Sequence, residues 1–319
     1  MIKKIKSEYI LYNKAGTKIL GRFSTKAAAL KREREIQFFK RQDAADEKPR
    51  KKLSKLSAPL GIEREYQKRI RSIVTRVKEI IDANIVESLP YIMNQVEATR
   101  PSIKKDAIGE DVHGLFISTR LAVSQQITDY EIEQMVQNTA QEINTWNKAQ
   151  VTRVLKQGLG VDPFQSEPWL VQEMNNFVTA NVNLIKNVNA AFLNETETIV
   201  FEGMRKGLRH EQIAKQILGT GKDELNHVSR FKMAKTRANL IGRDQVNKMN
   251  GQLTKLRQTG MGVKKYIWRT VGDSRVRHHH AARSGQEYTW LKGSEVGTHP
   301  GDEIQCRCYA EPILKDLIK

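Results

Sequence analysis

Three consecutive histidines, His278, His279 and His280, are followed by His299, and the only two cysteines, Cys306 and Cys308, come within ten residues of His299. Imidazole nitrogen and thiolate sulfur are the usual donors to a tetrahedral structural zinc, which takes four of them. One of the three histidines with His299, Cys306 and Cys308 would make a Cys2His2 set. If the cysteines lie on a strand, the i, i+2 spacing aims both at one face. A disulfide between them is disfavoured, because so tight a loop strains the bond. Two cysteines also cannot staple a chain of 319 residues, so the usage fits a reducing compartment and a metal. The histidine spacing matches no common zinc finger, and the clustering alone carries this expectation.

Other chemistries find less support. Asp273 beside the histidines would suit a metal-assisted nuclease, in which a divalent ion activates water. Such a site needs further convergent groups, and Glu287, Asp302 and Glu303 show no recognisable spacing, so turn capping is the expected role of Asp273. No phosphate-cradling loop and no dinucleotide fingerprint occurs. Arg275, Arg277 and Arg307 are candidates for a phosphate or a partner carboxylate. No catalytic residue is assigned, and binding is the expected work.

Charge points to a polyanionic partner. The net charge is +18, with residues 1–55 carrying 17 basic and 6 acidic groups, residues 83–200 summing to −6 and residues 201–319 to +11. Basic runs place candidate nucleic-acid contacts at Lys31, Arg32, Arg34, Arg50, Lys51 and Lys52, which would touch phosphates without reading sequence. On this linear division the acidic middle is free to meet protein while the basic ends meet DNA.

The elements that must position these groups are mostly helical. Glu8 to Tyr12 and Thr17 to Phe23 read as a hairpin with its turn at residues 13–16, and Ser24 stands where the N-cap of a following helix belongs. This gives a module at 1–42 and a charged linker at 43–60. Ile62, Tyr66, Ile70, Ile73, Val77 and Ile80 keep a helical period, with Pro90 and Pro101 as punctuation, and Thr128 to Glu131 has capping-box spacing ahead of a long helix. A helical region thus fills 61–165. From 166 the pattern predicts a helix opening at Ser166-Glu167-Pro168, a separate unit from about Asn194 to Arg205, helices over 211–218 and 230–257, and then strands at 265–270 and around 306–309. The expected fold is mainly α, with a small α+β C-terminal domain at 166–319 and an N-terminal β-hairpin plus helix module. No apolar run approaches the ~18 residues of a membrane helix, and no secretory signal is evident, so no membrane partner is expected.

The C-terminal segment carries a more specific pattern. Trp268-Arg269-Thr270, Asp273-Ser274-Arg275-Val276-Arg277, His280, Gly285 and Pro300-Gly301-Asp302-Glu303-Ile304-Gln305-Cys306-Arg307-Cys308 with Pro312 resemble the Mu F-like head morphogenesis family. Gly207 before Glu211-Gln212-Ile213-Ala214 and the helix from Arg237 to Asn250 follow the family's order, so the resemblance covers about 170–314. It implies a minor head protein of a tailed bacteriophage, made in the host cytoplasm and resident in the virion. Its partners would be the portal protein, packaged double-stranded DNA and other head or scaffold proteins. The resemblance implies no enzyme activity. It aligns His280 best as a metal ligand, with His278 open, and keeps a zinc site of His280, His299, Cys306 and Cys308. The alternative is a metal-dependent nuclease or DNA-processing enzyme acting in packaging.

Overall fold

A computed structural model describes residues 2–5, 7–12, 17, 19–45, 54–99, 105–160, 166–219, 228–314 and 317. The turn expected at 13–16, the charged run 46–53 with Arg50, Lys51 and Lys52, and Pro101 lie outside the described residues. As expected, the protein is mainly α with small antiparallel sheets towards its two ends.

At the N-terminus the hairpin is one strand larger than the sequence suggests. β1 (Ile2–Ile5), β2 (Glu8–Tyr12) and β3 (Ile19–Phe23) form an antiparallel sheet in that order, followed by α1 (Lys26–Ala45). β1 escapes a periodicity reading because its four residues IKKI do not alternate. Thr25 rather than Ser24 caps α1, its Oγ1 accepting from the Ala28 N–H at 3.2 Å. Leu11, Phe23 and Ala29 are buried together under this helix.

The long helices follow as α2 (Leu60–Ile81), a π-helical turn at Asp82–Val86, α3 (Leu89–Thr99), α4 (Lys105–Gln126), α5 (Asp129–Leu159), α6 (Leu170–Lys206), α7 (His210–Leu218) and α8 (Arg230–Gly260). Thr128 caps α5 as its spacing predicts, accepting from the Glu131 N–H at 3.2 Å. The separate unit expected from Asn194 does not exist, because α6 runs unbroken. Asn194 continues the helix and accepts from Thr198 Oγ1 through its carbonyl, and tertiary burial of Phe192, Leu193, Ile199 and Val200 overrides its low propensity. A C-terminal sheet is built from β4 (Lys265–Arg269), β5 (Glu287–Thr289) and β6 (Tyr309–Pro312) in the order β5-β4-β6, with the short α9 (His278–Arg283) between β4 and β5. No helix among the described residues is long and apolar enough to cross a membrane.

The chain divides into two compact units that interleave along the sequence. The first holds residues 1–59, 142–171 and 247–319, and the second holds 60–141 and 172–246. In the second, Tyr66 of α2 is fully buried, donating its hydroxyl to Asn181 Oδ1 at 3.0 Å, and Phe177 lies 6.4 Å from its ring. Gly242 lets α8 approach α2, where Gln67 Nε2 donates to the Asn239 carbonyl at 2.9 Å. A Cβ at Gly242 would stand 3.0 Å from the Gln67 backbone.

In the first unit the C-terminal sheet packs on the later part of α5. Val151, Val154 and Leu155 meet Tyr266, Trp268, Trp290, Cys306, Cys308 and Ala310 in one buried cluster, with Leu56 added from the segment before α2. The last turns of α8 lock this arrangement. Arg257, 1% exposed, donates to Glu167 Oε1 at 2.7 Å, Asn147 Oδ1 at 2.6 Å and Asn144 Oδ1 at 2.5 Å. Its neighbour Gln258 donates to the Ala310 carbonyl at 2.9 Å and accepts from Trp290 Nε1 at 3.2 Å. Arg257→Ala leaves the Glu167 carboxylate with Lys148 as its counter-ion and removes the donors to Asn144 and Asn147, and is expected to cost about 3 kcal/mol in denaturant unfolding. The double change Arg257→Met with Glu167→Gln should lose much less, because it leaves no buried charge unpaired.

Candidate metal centre

The site is assembled from one short helix and one tight loop beside the central strand of the C-terminal sheet. α9 delivers His280 at its third position, pointing inward while His278 and His279 stay exposed. The loop 300–308 delivers the cysteines. It begins with Gly301 at φ +100°, whose hypothetical Cβ would stand 3.2 Å from the Asn247 carbonyl of α8. Opposite, a Cβ on Gly251 would come 2.7 Å from the Pro300 carbonyl, so two glycines create the notch in which the loop seats. A turn then closes with Cys306 N–H donating to the Glu303 carbonyl at 2.9 Å, and Gln305 takes φ +57° within it. That is the one left-handed non-glycine among the described residues, and it stands next to a candidate ligand.

This geometry corrects one expectation. The two cysteines do not lie on a strand, because β6 starts only at Tyr309, and it is the turn that brings both sulfurs to one side. His280 Nδ1 lies 3.7 Å from Cys306 Sγ and 3.5 Å from Cys308 Sγ. A tetrahedral ion with metal–sulfur bonds of ~2.3 Å and metal–nitrogen bonds of ~2.0 Å separates S and N ligands by about 3.5 Å. The two nitrogen–sulfur separations therefore match edges of such a tetrahedron. All three residues are buried, at 3%, 4% and 8% exposure for His280, Cys306 and Cys308.

Surrounding groups fit a charged thiolate centre. The Gly301 N–H donates to Cys306 Sγ at 3.4 Å. The indole Nε1–H of fully buried Trp268 lies beside the Cys308 thiol, favours its charged form and has no hydrogen-bond partner of its own. Such N–H groups aimed at sulfur are the outer contacts that orient and tune metal thiolates. On the other side of the ring, His280 Nε2 lies 3.0 Å from Glu303 Oε1, out of line for a hydrogen bond but in ion-pair range. Burial alone would raise the Glu303 carboxyl, but the donors around it, His280, His279 and Arg283, hold it at about 2.

His299 does not join the group. Its Nδ1 lies 3.0 Å from the Tyr266 hydroxyl, its ring lies 5.1 Å from that of Trp290, and burial pushes its pKa down, so it is a neutral core histidine. The aromatic wall on β4 and around Trp290 captures it, a tertiary event invisible in spacing. Among the described residues a second histidine and carboxylate group exists at His279, His280 and Glu303. Arg277 and Arg283, each donating to Glu303 at 3.0 and 3.1 Å, already neutralise that carboxylate and oppose a cation there. The thiol group is thus the better candidate for a metal. Glu303, Gly301 and Trp268 are the supporting residues that spacing did not single out, although all three stand inside the C-terminal pattern quoted above.

Other sequence candidates fall elsewhere. Asp273 caps its own turn, accepting from the Arg275 N–H at 3.1 Å, and lies 3.5 Å from Arg307 Nη1. Lys31 is exposed on α1, and the side chain of Arg34, like Arg50, Lys51 and Lys52, lies outside the described residues. Arg32 is 7% exposed, which corrects its assignment as a phosphate contact, since a buried guanidinium is out of reach of a DNA backbone.

Cys306, His280 and Glu303 also trace the order of a thiol-nucleophile triad. Burial of the sulfur decides against it, because a nucleophile must reach its carbonyl and 4% exposure leaves Cys306 enclosed. In metal-free protein, hydrogen bonds from Cys308 and His280 pull the Cys306 thiol down to about 5, while its hydrogen bond to Cys306 and burial push the Cys308 thiol up. The hydrogen bond to Cys306 raises His280. A depressed thiol stabilises the fold above its ordinary pKa near 9, and that contribution is lost as pH falls through about 5. Ultraviolet titration of the chelator-treated protein should therefore show one thiolate appearing near pH 5, absent in Cys306→Ser. Metal must displace the protons on His280 and Cys308, so metal affinity is expected to rise with pH.

Residues 194–311 match the family model described as Phage Mu protein F like protein. An uncharacterized protein of Haemophilus influenzae is 32% identical over 171 residues, which are 53% of this chain and 36% of that protein, so the chain spans little more than a third of the relative's length. No solved structure matches the chain. The matched segment begins inside α6 and ends inside β6, taking in α7, α8 and the whole group of His280, Glu303, Cys306 and Cys308. Over residues 194–311, this chain is similar to the phage Mu F-like family.

Proposed function

We propose that the protein is a minor head protein of a tailed bacteriophage, binding the portal protein and packaged double-stranded DNA during capsid assembly and genome packaging or delivery. The family match over 194–311 is the observation that carries this reading. The net charge of +18 supports the DNA partner, and long helices supply the protein-docking surface. The work is binding, not catalysis. Zinc held by His280, Cys306 and Cys308 pins the loop 300–308 to α9, and its chemistry is structural. A catalytic zinc also takes three protein ligands and leaves a position open. Here, however, burial of every ligand withholds that position from a nucleic-acid strand, which disfavours the nuclease alternative.

Co-expression with the portal protein of the same phage genome, followed by native mass spectrometry, tests this reading. A defined complex containing both chains is expected, with one zinc mass per copy of this chain. A chain that purifies alone would remove the portal assignment. Cys306→Ser and Cys308→Ser should each lose the zinc and lower the melting temperature, while His299→Gln should keep the metal. Retention of a full equivalent of zinc in both cysteine variants would exclude the site.

A further inference from the structure

The fold redistributes charge in a way the linear sequence hides. The unit formed by 1–59, 142–171 and 247–319 holds 33 basic and 16 acidic side chains, a net +17. The unit formed by 60–141 and 172–246 holds 21 and 20, a net +1. The net +5 of 201–246 is offset by a net −2 over 60–141 and a net −2 over 172–200, whereas Arg153 and Lys156, from a stretch that is acidic in sequence, join the basic unit. Basic ends around an acidic middle are therefore not the division that the folded chain presents.

Within the basic unit one surface is built with unusual definition. The segment 54–57 lies along α5 and runs antiparallel to it. Ser54 N–H donates to Gln157 Oε1 at 2.8 Å, and Ser57 donates to Gln150 Oε1 from its N–H at 2.9 Å and its Oγ at 3.1 Å. Leu56 inserts between these anchors into the cluster with Val151, Val154 and Leu155. Lys55, between Ser54 and Leu56, therefore faces solvent, and Arg153 Nη2 reaches its carbonyl at 3.5 Å. Lys156 is exposed one turn further along α5. Among the described residues none of these three cations has a carboxylate partner, in contrast to Lys148, which is held by Glu167 at 3.2 Å. Arg50-Lys51-Lys52 stand directly before this segment in the sequence.

We infer that the 54–57 strap and the outer face of α5 form a backbone-contact surface for double-stranded DNA, carried by Lys55, Arg153 and Lys156. The inference rests on the DNA-binding part of the proposed function and assigns that contact to the basic unit. Three unpaired cations on an anchored scaffold meet phosphates as point charges. Lysine and arginine contacts to phosphates carry no sequence information, so the contact is independent of sequence. Each phosphate neutralised releases condensed counterions and adds about 0.9 to the slope of log affinity against log salt.

The test uses the full chain and a labelled duplex of mixed sequence, followed by fluorescence anisotropy across a salt series. K55E/R153E/K156E is compared with K68E/K215E/K232E, which makes the same change of charge at exposed lysines of the nearly neutral unit. The first variant is expected to lose at least about tenfold in affinity and about 2–3 units of salt slope, and the second to stay close to the parent. Equal losses in the two variants would show a response to net charge alone and overturn the inference, as would an unchanged first variant. If the parent itself fails to bind duplex at low salt, the DNA part of the proposed function falls and this surface with it, while the portal part still stands or falls by native mass. Melting curves check folding, and K55Q/R153Q/K156Q repeats the comparison if the glutamates unfold the protein.

Discussion

A guanidinium at 1% exposure must have its donors answered inside the protein, and Arg257 organises the first unit by that requirement. Its partners come from α5, through Asn144 and Asn147, and from the approach to α6, through Glu167. The side chain next to it, Gln258, turns the other way and spans the C-terminal sheet by holding the Ala310 carbonyl and the Trp290 indole. Two consecutive residues at the end of α8 thus fix helices on one side and strands on the other. Every later feature of the cap, including the loop with the cysteines, is placed relative to that junction.

From there the candidate metal centre follows by short steps. β4 continues from α8 and presents Trp268 and Tyr266 to the core. Trp268 walls the thiols and Tyr266 takes His299 away from them. The glycine notch on α8 seats the Pro300-Gly301 corner, and the left-handed Gln305 completes the turn that aims Cys306 and Cys308 at His280. Glu303 lies on the far side of that ring, held ionised by two arginines and His279, so one nitrogen of His280 is engaged by a carboxylate while the other meets sulfur. A buried imidazole set between a carboxylate and two thiols is a candidate metal ligand whose outer contacts are already in place.

Charge shows the same dependence on folding. Counting along the chain separates basic ends from an acidic middle, but packing interleaves the segments and concentrates the excess in one unit. Electrostatic steering acts over about a Debye length, roughly 10 Å at moderate salt, so spatial grouping rather than sequence grouping sets the field a polyanion meets. Gln150 and Gln157, neutral and unremarkable in a composition count, hold the basic strap on α5 as side-chain acceptors for its backbone.

Amphipathic period and capping chemistry determined the helical class, the start of α5 at Thr128 and the β4 strand, because those signals act over a few neighbouring residues. The clustering of His278, His279 and His280 with Cys306 and Cys308 was equally legible, while the preference for His280 among the three came from the family resemblance. Tertiary structure alone decided that His299 belongs to the aromatic core, that Arg32 is buried, that α6 passes through Asn194 without a break and that the cysteines sit in a turn rather than on a strand. The physical reason is common to these cases. Each depends on a partner far away in sequence, Tyr266 for His299, packed apolar faces for α6 and the α8 notch for the cysteine loop, and local propensity carries no record of who that partner will be.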